Sequence, residues 1–221
     1  MRLSRRRLAA AAALTMLFAG PAAAQSVKDF PDVTDSSFAE PNGSRVLRLS
    51  AVIPAERAKV WQAFATAEGW RAWATPLAAV DLRVGGVIET SYDTRAQIGN
   101  PENIKNQITA YVPERLLVFR NIQAPSGLPG RERFGETAAI VELEDAGAGQ
   151  TRVTLTGVGY APGEPFDTLY RHFAWGNAYS LMKLKESFMK GPIDWKQVEA
   201  QRQAGAAAAK VAGQDKDKGE D

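Results

Sequence analysis

The chain has 221 residues, 45% of them hydrophobic and 24% charged, with a formal charge of +2. It holds no cysteine and one histidine, which excludes a disulfide framework, a thiol nucleophile and any multi-histidine metal site within one chain. Arg2, Arg5, Arg6 and Arg7 lie at the very start; without these four the charge is −2, so nothing draws the remainder toward nucleic acid.

The opening MRLSRRRLAAAAALTMLFAGPAAAQS has the build of a secretory leader over 1–24. A basic stretch, Arg2 to Arg7, precedes an apolar run, Leu8 to Ala19; Gly20-Pro21 and the small residues Ala22-Ala23-Ala24 follow. The apolar run is too short to cross ~30 Å of hydrocarbon. Cleavage is expected after Ala24, giving a periplasmic or secreted protein whose mature form has no transmembrane anchor. Ser4-Arg5-Arg6-Arg7-Leu8 resembles a twin-arginine export signal; an ordinary leader with several arginines is the other reading.

Residues 25–43 form a polar lead-in, either mobile or strapped along the surface, and 44–192 form one folded domain. RVLRLSAVI sets Val46, Leu47, Leu49, Ala51 and Ile53 against Arg45, Arg48 and Ser50, which predicts a strand. Pro54 ends it. Ala55 to Ala65 predicts a helix, with Glu56 at the positive end of its dipole and Val60, Trp61 and Phe64 on one face. Glu68 to Ala74 predicts a second short helix, closed by Pro76, with Trp70 and Trp73 on one face. Strands then dominate. AVDLRV runs to a turn at Gly85-Gly86, and VIETSYD follows with Ile88, Thr90 and Tyr92 on one face. NIKNQITAYV puts Ile104, Asn106, Ile108 and Ala110 on one face; RLLVFRNI comes after the Pro113-Glu114 turn. ETAAIVELED and TRVTLTGVGY complete the set after a Gly- and Pro-rich loop. FDTLYRHFAWGNAYSLMKLKESFMK predicts one long helix, stopped by Gly191-Pro192. The tail, 193–221, is Ala-rich and then charged: its first half suits a helix, and its last residues have nothing to bury.

This order predicts an α+β fold: a curved antiparallel sheet of about seven strands, two short helices after the first strand, and a long C-terminal helix covering the sheet's inner face. The pattern resembles the helix-grip fold of the START-like (SRPBCC) superfamily. VIPAERAKVWQAFATAEGWRAWATP, LRVGGVIE, ITAYVPERLLVF and WGNAYSLMKLKESF are similar, in that order, to motifs of one branch. That branch is named for the C-terminal domain of activators of the ninety-kilodalton heat-shock protein ATPase. The namesake is a cytosolic co-chaperone, whereas this chain opens on an export signal, so the branch name is not taken as the function.

The resemblance implies a cavity between sheet and last helix, where small apolar molecules or lipids sit. The expected lining is Trp73, Tyr92, Asn106, Phe119, Asn121, Phe173, Gly176, Asn177 and Ser180. On the last helix, Phe166, Leu169, Phe173, Leu181, Leu184 and Phe188 form an apolar stripe; Gly176, Asn177 and Ser180 interrupt it. Such a gap suits a ligand or close packing on strand backbone. Trp70 and Trp73 suit core packing as well as an aromatic wall. Glu89 and Asp93 fall out of phase with Ile88, Thr90 and Tyr92 and are expected in solvent. No serine elbow or phosphate loop is present. His172, with Tyr92, is the one candidate for proton transfer. The leading expectation is an exported binding protein for a small hydrophobic or amphipathic molecule or lipid, without cofactor or metal. The alternatives are a cyclase- or dehydrase-like enzyme acting on an aromatic or polyketide-type substrate in the same cavity, and an envelope interaction protein with no ligand.

Overall fold

A computed structural model describes residues 26–205. The leader, its twin-arginine stretch and the cut after Ala24 lie outside these residues, as does the charged end of the tail. Among the described residues, nine strands form one antiparallel sheet: β1 (Thr34–Asp35), β2 (Phe38–Ala39), β3 (Arg45–Ile53), β4 (Leu77–Val80), β5 (Val87–Ser91), β6 (Ile104–Val112), β7 (Leu116–Gln123), β8 (Ala138–Asp145) and β9 (Thr151–Tyr160). Their order is β1-β3-β9-β8-β7-β6-β5-β4, with β2 also on β3. Seven are the expected long strands. The two added ones are two-residue pieces of the lead-in, which straps the β3 edge through Thr34 opposite Ser50 and Phe38 opposite Val46.

Register decides which side chains face inward. One row runs Ile108, Phe119, Ala139, Gly157, Leu47 across five strands, and the next runs Ile88, Asn106, Asn121. Leu47, Leu49, Ile53, Ile88, Ile108, Leu117 and Val153 are fully buried on this concave face, each contributing roughly 1.5–3 kcal/mol. The helices α1 (Arg57–Ala65), α2 (Ala67–Trp73) and α3 (Phe166–Lys190) cover it. α3 carries Asp167 in its first turn and Lys190 in its last, as its dipole favours.

α1 and α2 meet at Gly69, where a Cβ would lie 2.1 Å from Gln62 O. The Thr66 hydroxyl links the two, accepting from Gly69 N at 2.9 Å and donating to Gln62 O at 2.8 Å. Beyond Gly191-Pro192, a helix over 195–205 returns to α2: Ile193 N donates to Ala72 O and the Trp195 indole to Arg71 O.

Three expectations are corrected. The strand expected over AVDLRV is Leu77–Val80 instead; 81–86 is a turn, with Val84 63% exposed and Gly86 packed against Asp81 O. Ala110 is not on the inner face, because a bulge between Ile108 and Ala110 adds a residue and turns Tyr111 inward to stack on Trp61. Glu89 is on the convex face but not in solvent. The 97–103 loop folds over it, Glu89 Oε1 accepts from Gly99 N and Asn103 Nδ2, and its exposure is 8%.

Candidate functional site: the space between sheet and α3

One face of α3 carries Leu169, Phe173, Gly176, Ser180 and Leu184, spaced by three and four. Its ends are sealed, since Leu169 and Leu184 are fully buried. Its middle is not: Phe173, Gly176, Asn177 and Ser180 are only half-buried, and a Cβ on Gly176 would meet nothing within 4 Å. The middle of the helix is thus packed through Ala178 and Leu181, both fully buried, and open along the side of Gly176.

Around this opening stand three aromatic arrangements. Phe173 stacks on Phe134 with centroids 6.0 Å apart, and the His172 ring meets Phe173 edge-on at 5.4 Å. Trp175 and Tyr179 stack at 5.2 Å, and Phe30 from the lead-in meets both edge-on. Tyr92 approaches from the end of β5. It is 40% exposed, yet burial and the nearby Tyr179 hold its hydroxyl above its ordinary pKa. Burial also pushes the His172 imidazole below its ordinary value, so it is neutral at pH 7.

The sheet supplies the floor. Asn106 and Asn121 are cross-strand partners on the concave face, both buried, with Phe119 in the adjoining row. Asn121 Nδ2 donates to Thr137 Oγ1, whose hydroxyl donates to Phe134 O, so this amide is fixed. Asn106 Oδ1 is sealed and has no hydrogen-bond partner.

Trp73 lies elsewhere. Its indole donates to Ala63 O at 3.0 Å and packs on Phe64 and Trp70, inside the α1–α2 hairpin. Its polar handle is therefore used within the core. Phe173, Gly176, Asn177 and Ser180 are thus half-buried on α3, Tyr92 is part-exposed near Tyr179, and Asn106, Phe119 and Asn121 share the concave face. Tyr179 escapes a sequence reading, since it lies off the apolar stripe; its spacing of four from Trp175 is the only signal. Among the described residues, no group of three or more His, Cys, Asp or Glu is placed to hold a metal ion, and no helix is long and apolar enough to cross a membrane.

Two grooves on the surface differ in kind. One of about 440 Å³ is lined by Pro76, Thr94, Trp195, Lys196, Glu199 and Gln203; another of about 470 Å³ follows Ile122, Ser126, Leu128, Arg131 and Phe134. Both are open and edged by charged side chains, without the apolar enclosure that retains a small guest.

A curved antiparallel sheet gripping a long C-terminal helix defines the START-like class of α+β domains. Within it, residues 54–188 match the model of the Activator of Hsp90 ATPase homolog 1-like proteins, and the chain belongs to that family. Among solved structures it is similar to the Aha1 dimer from Colwellia psychrerythraea, with 21% identity, a TM-score of 0.51, and 66% of this chain and 97% of that one covered. CalU16 from Micromonospora echinospora matches at 19% identity and TM-score 0.51, covering 80% and 96%. A conserved protein of unknown function from Enterococcus faecalis, EF2215, matches at 15% and 0.51, covering 79% and 91%. At these identities the likeness is one of fold. No curated protein matches the chain.

Proposed function

We propose that this START-like domain binds a small hydrophobic or amphipathic molecule between the sheet and α3, and that it does so outside the cytoplasm, after export and cleavage following Ala24. The observation that carries the binding reading is the α3 face sealed at Leu169 and Leu184 and open at Gly176. The aromatic surround of Phe173, Tyr92 and Tyr179 supports it, because apolar walls with few polar groups are what small-molecule sites offer. The leader-like opening of the chain supports the location.

Native mass spectrometry of the protein purified from its own cell envelope tests both parts at once. The expected result is an added mass that is lost on denaturation, on a chain beginning at Gln25. Gly176→Leu fills the open space without a clash in the helix, so the variant should fold and arrive without the added mass. A Gly176→Leu protein that keeps its guest would refute the site. A chain retaining residues 1–24 would refute the cleavage.

The cyclase- or dehydrase-like alternative rests on one feature, a neutral His172 beside Phe173 and near the opening. It predicts turnover that is lost in His172→Ala.

A further inference from the structure

The concave rows around Asn106 carry no charged side chain; Arg45, which does reach α3 from β3, is paired with Asp167 and lies over the Tyr170 ring near the start of the helix. These rows present Ile88, Thr90, Asn106, Ile108, Phe119 and Asn121, all neutral. The α3 residues Leu169, Phe173, Gly176, Ser180 and Leu184 are neutral as well. Lys183, three residues beyond Ser180 and over the Tyr179 ring, is held by Glu186 at 2.9 Å. The imidazole of His172 is uncharged for the reason given above. An ionised guest would therefore enter a low-dielectric space whose neighbouring cations are already paired with carboxylates, which is unfavourable.

Polarity is present all the same, and it is local. Asn106 and Asn121 sit side by side in the register, and the Asn106 carbonyl oxygen lacks any partner while more than nine-tenths of the residue is buried. Buried amides are normally paired, and one that is not points to a missing partner. Thr137 anchors Asn121, whereas nothing equivalent holds Asn106. Rotation about its last side-chain bond exchanges the oxygen and the NH₂, so Asn106 can meet either a donor or an acceptor.

Resting on the binding reading above, we infer that the guest is a neutral molecule with an apolar body and a hydroxyl or amide group that hydrogen-bonds the Asn106–Asn121 pair, and that carboxylate-bearing guests are rejected.

Three probes of one shape test this: 2-naphthol, naphthalene and 2-naphthoate, titrated against delipidated protein by calorimetry at pH 7.5. A purely apolar space ranks naphthalene first, because it leaves water most readily. The inference ranks 2-naphthol first, about fivefold to tenfold tighter than naphthalene, with 2-naphthoate weakest by at least about tenfold. In Asn106→Leu the advantage of naphthol over naphthalene should vanish, while naphthalene still binds. Asn106→Ser, which shortens the polar group, gives a second variant, and thermal melts verify that both are folded. Naphthalene ranking first, naphthoate ranking first, or an advantage that survives both variants would overturn the inference and leave the binding reading standing. Failure of all three probes to bind would overturn the binding reading and the inference with it.

Discussion

His172 is the only imidazole in the chain, and its burial beside Phe173 makes stability depend on pH in one direction. Its folded pKa lies below the ordinary value near 6.5, so the unfolded chain takes up the proton first. Between the two values, unfolding binds a proton, and stability rises with pH. Acidification from about pH 7.5 should leave stability flat until the ordinary imidazole range is reached and then lower it. Melting curves of the wild type and His172→Gln, taken between pH 7.5 and 5.5, should converge at the acid end as the wild type alone loses stability. Carboxylates with lowered pKa, such as Glu186 between Lys183 and Lys190, act in a separate window. Their contribution is present above about pH 4.5 and is lost as pH falls below it.

At the scale of elements, the turn between α1 and α2 depends on one missing atom. Glycine is required at 69 because the backbone of Gln62 and Ala63 passes where a side chain would begin. The backbone cannot yield as a flexible side chain could. Gly69→Ala should therefore destabilise the protein by about 3 kcal/mol, at the upper end for overpacking, measurable as a lower denaturant midpoint with an unchanged slope. A different device acts in β6, where the bulge after Ile108 carries Tyr111 onto Trp61 and so ties the sheet to α1. Both features are backbone events with no obvious hydrophobic signature. Gly69 is visible in the sequence as a glycine within a helical stretch; the bulge is not visible at all.

For the whole molecule, the lead-in is part of the grip. Phe30 is buried against Trp175 and Tyr179 on α3, Lys185 pairs with Asp32 at 3.0 Å, and β1 and β2 extend the sheet at β3. A segment whose sequence suits either a mobile lead-in or a surface strap is thus fastened at the helix, at the strand edge and by an ion pair. The surface ion pair adds little, so the weight falls on the ring. Phe30→Ala should cost about 3 kcal/mol and open residues 26–44 to proteolysis while the rest of the sheet stays intact. Limited proteolysis followed by mass mapping checks both the cost and its location.

Local chemistry in the chain was enough to determine the element order, the long final helix and its stop at Gly191, and the alternation that puts Asn106, Phe119 and Asn121 on one face. These follow from periodicity, turn residues and helix ends, all set by neighbours within a few positions. The interruption at Gly176, Asn177 and Ser180 was legible in the same way, as small and polar residues in an apolar stripe. Only the tertiary structure decided that a side chain at Gly176 would meet no neighbour, that Trp73 belongs to the α1–α2 hairpin, that a loop covers Glu89 and that Asn106 Oδ1 is left without a partner. Each of these depends on which distant segment arrives opposite a given side chain. No local pattern encodes that arrival; it is set by the register of the strands and by how the sheet closes on α3.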